Sequence, residues 1–197
     1  WKGGDVAIID GVVVNGSAGL VLSGLEGDTL TSVNSSGTTG AVSASIDGTK
    51  ATYTGGAGVD TVTLVTATAL TKAIDLGGGD DTLSFAALAV SGSTTTLSGG
   101  GGTDTLSMSA ATADTLDGSA VSFYTQFERL LLNTAAGDND DSADTVTIDL
   151  ANLGFTNYVS TNGTVLDTTT ATKSDTLVLD KLASGGTVAI LAAAAGA

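Results

Sequence analysis

The tripeptide Asp-Thr-Leu or Asp-Thr-Val occurs seven times in this chain, and three of the copies follow a run of glycine. The copies begin at Asp28, Asp60, Asp81, Asp104, Asp114, Asp144 and Asp175. The glycine-led stretches are Gly55-Gly56-Ala57-Gly58-Val59-Asp60-Thr61-Val62-Thr63, Leu76-Gly77-Gly78-Gly79-Asp80-Asp81-Thr82-Leu83-Ser84 and Gly99-Gly100-Gly101-Gly102-Thr103-Asp104-Thr105-Leu106-Ser107. The first and third fit the nonapeptide G-G-x-G-x-D-x-U-x in full, U being a large apolar residue; the second has Leu76 in place of the first glycine. A single Gly-Gly-x-Gly is ordinarily a flexible turn. Three in succession, with the Asp and its apolar anchor in register, define a repeated structural unit.

Between the glycine loops, apolar residues alternate with Thr and Ser: Val62 and Leu64, Leu83 and Phe85, Leu106 and Met108. Period two with β-branched partners means strands, with the Thr after each Asp facing outward and the Leu or Val facing the core. Asp60, Asp81 and Asp104 lie 21 and 23 residues apart, whereas two nonapeptides return to the same edge after about 18. The spacing predicts a wider coil, running from a glycine loop through a strand, a turn near residues 67–69 and a returning strand to the next loop. The loops then stack along one edge, and the opposite edge, with turns such as Ser91-Gly92-Ser93, lacks the aspartate signature. The expected fold is all-β: a right-handed parallel β-helix or β-roll solenoid with Gly/Asp-rich calcium loops along one edge. No Pro-rich or charged linker divides the chain, so residues 1–197 read as one continuous segment. Within it, 1–50 are coils without the full motif, 51–109 the glycine-rich coils and 110–197 degenerate coils. The lone copies at Asp28, Asp114 and Asp175 are expected to mark strand entry without metal, and residues 149–154 a short helical turn or a β-edge. The start at Trp1-Lys2 reads as part of a longer chain, and the apolar tail 188–197, too short to span a bilayer, as a terminal strand or the beginning of truncated sequence.

Composition fixes the chemistry. The chain has no Cys, His or Pro, which removes thiol nucleophiles, imidazole bases, disulfide staples and the usual zinc ligands. Its 21 acidic residues against 6 basic ones exclude nucleic acid as a partner. Of those acids 19 are Asp, the short carboxylate favoured in tight turns and in loops that hold a hard cation. Calcium needs about six to eight oxygens. Glycines let loop carbonyls turn inward while Asp60, Asp81 and Asp104 supply charge, so three stacked loops make two inter-loop calcium sites. Without the ion, the carboxylates repel and the coils loosen. A second acidic loop, with Asp138, Asp140, Asp141 and Asp144, is a further candidate cation site. No Gly-Lys-Ser/Thr follows any glycine run, against a phosphate loop. Asp80 and Asp81 are the nearest thing to an acid–base pair, but they fall in the expected metal loop, and the segment reads as non-enzymatic.

The loops from Gly55 to Leu106 resemble the RTX repeats of Gram-negative exported proteins. The irregular spacing, the dominance of Thr, Ser, Ala and Gly, and the Phe127-Glu128-x-Leu130-x-Leu132 segment resemble a surface-layer protein of that family. The resemblance implies type I secretion, folding on meeting external calcium, and assembly of many copies into a lattice or filament on the cell surface, with no transmembrane segment. It implies side-chain ligation by Asp60, Asp81 and Asp104, and backbone ligation by residues 55–58, 77–80 and 99–102. Two alternatives stand beside it. One is an adhesin or binding module, with a cell-surface polysaccharide as partner and Tyr53, Tyr124 and Tyr158 as anchors; the other is the repeat module of a secreted hydrolase or toxin.

Overall fold

The computed structural model describes residues 9–23, 29–65, 68–85, 92–133, 145–154, 158–162 and 176–191. The acidic loop residues Asp138, Asp140, Asp141 and Asp144 lie outside the described residues, as do Asp28 and Asp175. In chain order the strands are β1 (Gly11–Gly16), β2 (Leu20–Leu22), β3 (Ser32–Thr38), β4 (Val42–Ile46), β5 (Thr52–Thr54), β6 (Thr61–Leu64), β7 (Ile74–Asp75) and β8 (Thr82–Phe85). They continue as β9 (Leu97–Ser98), β10 (Thr105–Met108), β11 (Tyr124–Thr125), β12 (Arg129–Leu132), β13 (Thr145–Asp149), β14 (Tyr158–Asn162), β15 (Thr176–Asp180) and β16 (Thr187–Leu191).

The odd strands β1 to β11 form one six-stranded sheet, the even strands β2 to β16 an eight-stranded one, and β13 pairs with β15. Neighbours in each sheet run parallel, as in β6 with β8 and β7 with β9. The chain therefore changes sheet at each connection, and each strand pairs with the strand two places further on. Among the described residues the protein is all-β, with parallel sheets and two short α-helices.

Register turns the sequence periodicity into columns. Ala44, Val62, Leu83, Leu106, Leu130 and Val159 align strand by strand in the larger sheet. Val33, Tyr53, Ile74, Leu97 and Tyr124 do so in the smaller one. Both columns belong to one buried cluster. Each fully buried Leu, Ile or Val is worth about 1.5–3 kcal/mol, so stacked apolar columns supply the cohesion that few large aromatics could. The alternate positions form the outer face: Thr61, Thr82, Thr105 and Arg129 are mutually aligned. Leu130 and Leu132, two residues apart in β12, both point into the core, as alternation along a strand requires.

The extra residues per repeat all go to one side. On the glycine side the connections 55–60, 76–81 and 99–104 are equally long; on the other they grow through 47–51, 65–73, 86–96 and 109–123. The last holds helices α1 (Ala110–Asp114) and α2 (Ala120–Phe123). This corrects the expectation for the Asp114 copy, which ends a helix instead of entering a strand. Ser109 caps α1 by accepting from the Thr112 N–H, the Ala-rich run favours helix, and Asp114 Oδ1 accepts from the Thr147 N–H of β13 (2.9 Å). Residues Leu150–Leu153 form a short 3-10 turn capped by Asp149 and closed by Gly154 at φ 76°, the helical one of the two forms expected there. No helix among the described residues is long and apolar enough to cross a membrane.

Leu83 is wholly buried between Val62 and Leu106, while Thr82 lies on the outer face. Leu83→Ala is expected to cost about 2–5 kcal/mol in urea unfolding and Thr82→Ala under about 0.5 kcal/mol. Equal losses would contradict the column assignment.

Candidate metal centre

The three glycine-led aspartates enter the core together. Asp60, Asp81 and Asp104 are 0%, 1% and 0% exposed, immediately before β6, β8 and β10. Each carboxylate reaches back to the rung before it. Asp60 Oδ1 accepts the Val42 N–H (2.8 Å), Asp81 Oδ1 the Asp60 N–H (2.6 Å) and Asp104 Oδ1 the Asp81 N–H (2.8 Å). The series continues one rung past the last glycine motif, where Glu128 Oε2 accepts the Asp104 N–H (2.8 Å). Alongside, the Thr82 and Thr105 N–H groups donate to the Asp60 and Asp81 carbonyls (2.9 and 2.8 Å). Backbone and side chain thus make two parallel ladders at the strand entry.

The second carboxylate oxygens differ. Asp60 Oδ2 accepts the Tyr53 hydroxyl (3.2 Å), which lies 3.1 Å from the buried Ser35 Oγ. Burial pushes the Tyr53 hydroxyl well above its ordinary pKa; the Ser35 hydrogen bond opposes this and the Asp60 carboxylate reinforces it, so Tyr53 stays a donor. Asp81 Oδ2 and Asp104 Oδ2 are buried and have no hydrogen-bond partner among the described residues. A buried, unpaired carboxylate oxygen is costly unless a proton or a cation neutralises it.

The glycine loops lie against each other backbone to backbone. The Gly78 N–H donates to the Gly56 carbonyl (2.7 Å) and the Gly101 N–H to the Gly77 carbonyl (2.8 Å). The loops of Asp81 and Asp104 share one conformation: Gly77 and Gly100 sit at φ 94° and 95°, Gly79 and Gly102 at 134° and 139°. Gly55, Gly56 and Gly58 take no such positive φ, although their loop fits the nonapeptide in full. Close approach fixes glycine there instead: a Cβ on Gly55 would lie 1.7 Å from the Leu76 carbonyl oxygen, and one on Gly58 2.4 Å from that of Gly40. Ala57 keeps its place by donating its N–H to the Thr38 carbonyl (2.9 Å). Asp80 is exposed; its Oδ1 accepts the Thr103 N–H (2.9 Å) and ties the second loop to the third. Gly99 starts the third loop, with its N–H on the Thr125 carbonyl (3.0 Å).

Among the described residues no three carboxylates converge on a point. A hard cation here would have Asp81 and Asp104 for charge, and carboxylate and backbone carbonyl oxygens are the donor types that suit calcium. Sequence reasoning missed Glu128 and Tyr53. Glu128-Arg129-Leu130 repeats the acid-x-Leu spacing and could have revealed the fourth acid. Nothing in the sequence marks Tyr53 as a carboxylate partner. Of the three tyrosines expected as surface anchors, Tyr53 and Tyr124 are core residues, and Tyr158 lies under the Arg129 guanidinium (5.1 Å). No family model matches the chain, and no curated protein or solved structure matches it.

Gly101 and Gly102 give opposite expectations within one run. A Cβ on Gly101 meets nothing within 4 Å, whereas on Gly102, at φ 139°, it would lie 1.8 Å from the Gly79 carbonyl oxygen. Gly101→Ala should leave the melting temperature unchanged or raise it slightly, and Gly102→Ala should lower it by several degrees. Similar effects would count against the stacked-loop geometry.

A second expectation concerns pH without divalent cations. Burial pushes the Asp81 carboxyl up to about 7; the Asp60 N–H opposes this, and the charges of Asp104, Asp60 and Asp80 add to it. Asp104 is raised by burial too, against the Asp81 N–H and with Glu128 and Asp80 adding. A carboxyl with a raised folded-state pKa stabilises most below its unfolded value, near 3.9, and loses that contribution as pH climbs through its folded value. In chelator, the melting temperature should fall between pH 5 and pH 8, and Asp81→Asn should flatten the slope. An unchanged slope in Asp81→Asn would refute the assignment.

Proposed function

We propose that this chain is a calcium-stapled β-solenoid segment of an exported surface protein, a subunit of a surface layer or filament. The observation that carries the reading is the pair of buried, unpaired carboxylate oxygens on Asp81 and Asp104, set between glycine loops that stack backbone to backbone. Strands that alternate between two parallel sheets support a solenoid or roll, in which each coil contacts only its neighbours. The resemblance to RTX repeats and their surface-layer members supports export and self-assembly, as does the lack of cysteine in a chain that then needs another staple. Calcium would bind to the carboxylates of Asp81 and Asp104 and to carbonyls of the loops 77–80 and 99–102, neutralising charge that otherwise opposes packing. Ion binding and coil packing are then one free energy.

A second reading, a module that holds a cell-surface polysaccharide, draws on one groove. About 450 Å³ in volume, it is lined by Gly92, Ser93, Thr94, Thr95, Thr96, Ser119, Ser122 and Phe123. Hydroxyls around a single ring suit a sugar. The stacked loops favour the structural role, since they occupy the length of the chain from Gly55 to Asp104 where the groove occupies one edge.

The test is electron microscopy of the purified chain with calcium and with chelator, alongside thermal melting. Ordered sheets or filaments that dissolve in chelator, with a calcium-dependent rise in melting temperature, are expected. Calcium uptake with monomers under all conditions would remove the lattice role, and no uptake would remove the calcium reading.

A further inference from the structure

The acid ladder does not coincide with the glycine motif. It is displaced by one rung. At its start, Asp60 belongs to a loop that fits the nonapeptide in full, yet both of its oxygens have protein donors, the Val42 N–H and the Tyr53 hydroxyl. At its far end, Glu128 occupies the aspartate position with no glycine run before it: the five residues between Ser98 and Asp104 shrink to Gln126 and Phe127 between Thr125 and Glu128.

That shortened loop brings a carbonyl to the same glycine as the free oxygen of Asp104. Gln126 takes the left-handed conformation at φ 57°, uncommon for a residue with a side chain, and its Oε1 accepts the Ser98 hydroxyl (2.8 Å). Its carbonyl oxygen and Asp104 Oδ2 converge over Gly99, lying 2.0 and 2.7 Å from the position a Cβ there would take. One is a carbonyl, the other a carboxylate oxygen of a side chain 0% exposed with no donor among the described residues. Two acceptors crowded beside one glycine, one of them charged and without a donor, call for a positive partner. Glu128 is exposed, and its Oε2 sits on the Asp104 N–H, so its carboxylate stands at the solvent side of the same rung.

We propose that a calcium ion is held between the third glycine loop and the Gln126–Glu128 loop, by Asp104 Oδ2, the Gln126 carbonyl and the Glu128 carboxylate, and that the Tyr53 hydroxyl stands in for an ion at Asp60. This rests on the calcium reading above and moves the ion-binding stretch one rung toward the C-terminus from where the motif puts it. The Gly55–Asp60 loop is then a structural terminus of the ladder, closed by Tyr53 and Ser35.

Equilibrium dialysis and calorimetry with calcium alone, on the full 197-residue chain, test it. Glu128→Gln keeps an acceptor for the Asp104 N–H but loses the charge, and should bind one ion fewer per chain or bind it at least tenfold more weakly. Asp60→Asn keeps an acceptor for the Val42 N–H and should leave the ion count unchanged. Anomalous scattering from crystals of the unaltered protein grown in calcium should place a peak beside Gly99, Gln126 and Glu128 and none at Asp60. If the unaltered chain takes up calcium but Glu128→Gln matches it in count and affinity, or the peaks lie at Asp60 and not at Glu128, this assignment is overturned while the calcium reading survives. No uptake by the unaltered chain overturns both.

Discussion

The interaction on which the rest of this structure depends is the hydrogen bond from the backbone N–H of one acid to the carboxylate of the next. Parallel strands need a long connection between neighbours, and nothing local fixes where the returning chain should re-enter the sheet. The bonds Asp60 to Asp81, Asp81 to Asp104 and Asp104 to Glu128 fix that point on each passage, 21, 23 and 24 residues further on. Once the acid is seated, the following Thr faces out and the Leu or Val faces in, because strand side chains alternate. A slip of one residue would turn Leu83 and Leu106 out of the core and Thr82 and Thr105 into it. The polar ladder thus sets the register, and the apolar columns provide the cohesion that makes the register worth keeping.

The same constraint explains where the chain tolerates variation. The glycine side is held on both flanks by hydrogen bonds between successive loops, and side chains there would strike carbonyl oxygens of the adjacent loop. The three glycine loops accordingly keep one length, six residues each. The far side is tied among its described residues by bonds such as those of the Thr71 and Lys72 N–H groups to the Gly48 carbonyl (3.2 and 3.0 Å), yet its connections differ in length. Added length is cheap in a surface connection, since closure entropy grows only slowly with loop size. That edge accordingly accommodates everything from the short 47–51 turn to the two helices within 109–123.

Much of this was legible in the sequence because it rests on local pattern. Alternation of Val62 and Leu64, or Leu83 and Phe85, with Thr and Ser gives strand and facing directly, and the Asp spacing gives the register partners. What the sequence hides is long-range. The helix at Ala110–Asp114 borrows an Asp-Thr-Leu copy because Ser109 and the alanines outweigh the tripeptide once no glycine loop precedes it. The pairing of Tyr53 with Asp60 joins the penultimate strand position before one loop to the last position of that loop, and only the fold brings them together. Glu128 escapes notice because the motif weights glycines, whereas the ladder needs only an acid followed two residues later by a core residue.

The glycines and the acids therefore answer to different demands. Glycine is required wherever a neighbouring carbonyl stands where Cβ would be, which holds for Gly55 and Gly58 regardless of any ion. Of the three glycine-led loops, only those before Asp81 and Asp104 contain glycines at positive φ, and these are the two acids whose second oxygen lacks a donor among the described residues. The second oxygens of those two acids receive no hydrogen bond from the loops beside them, so their charge has to be met in another way. Where the first loop keeps an ordinary backbone, a tyrosine from the preceding strand does the same service with a neutral donor. A column of buried carboxylates is tolerable only because each rung has such an answer to its second oxygen, and the choice of hydroxyl, proton or cation at each rung decides whether stability responds to pH, to ions, or to neither.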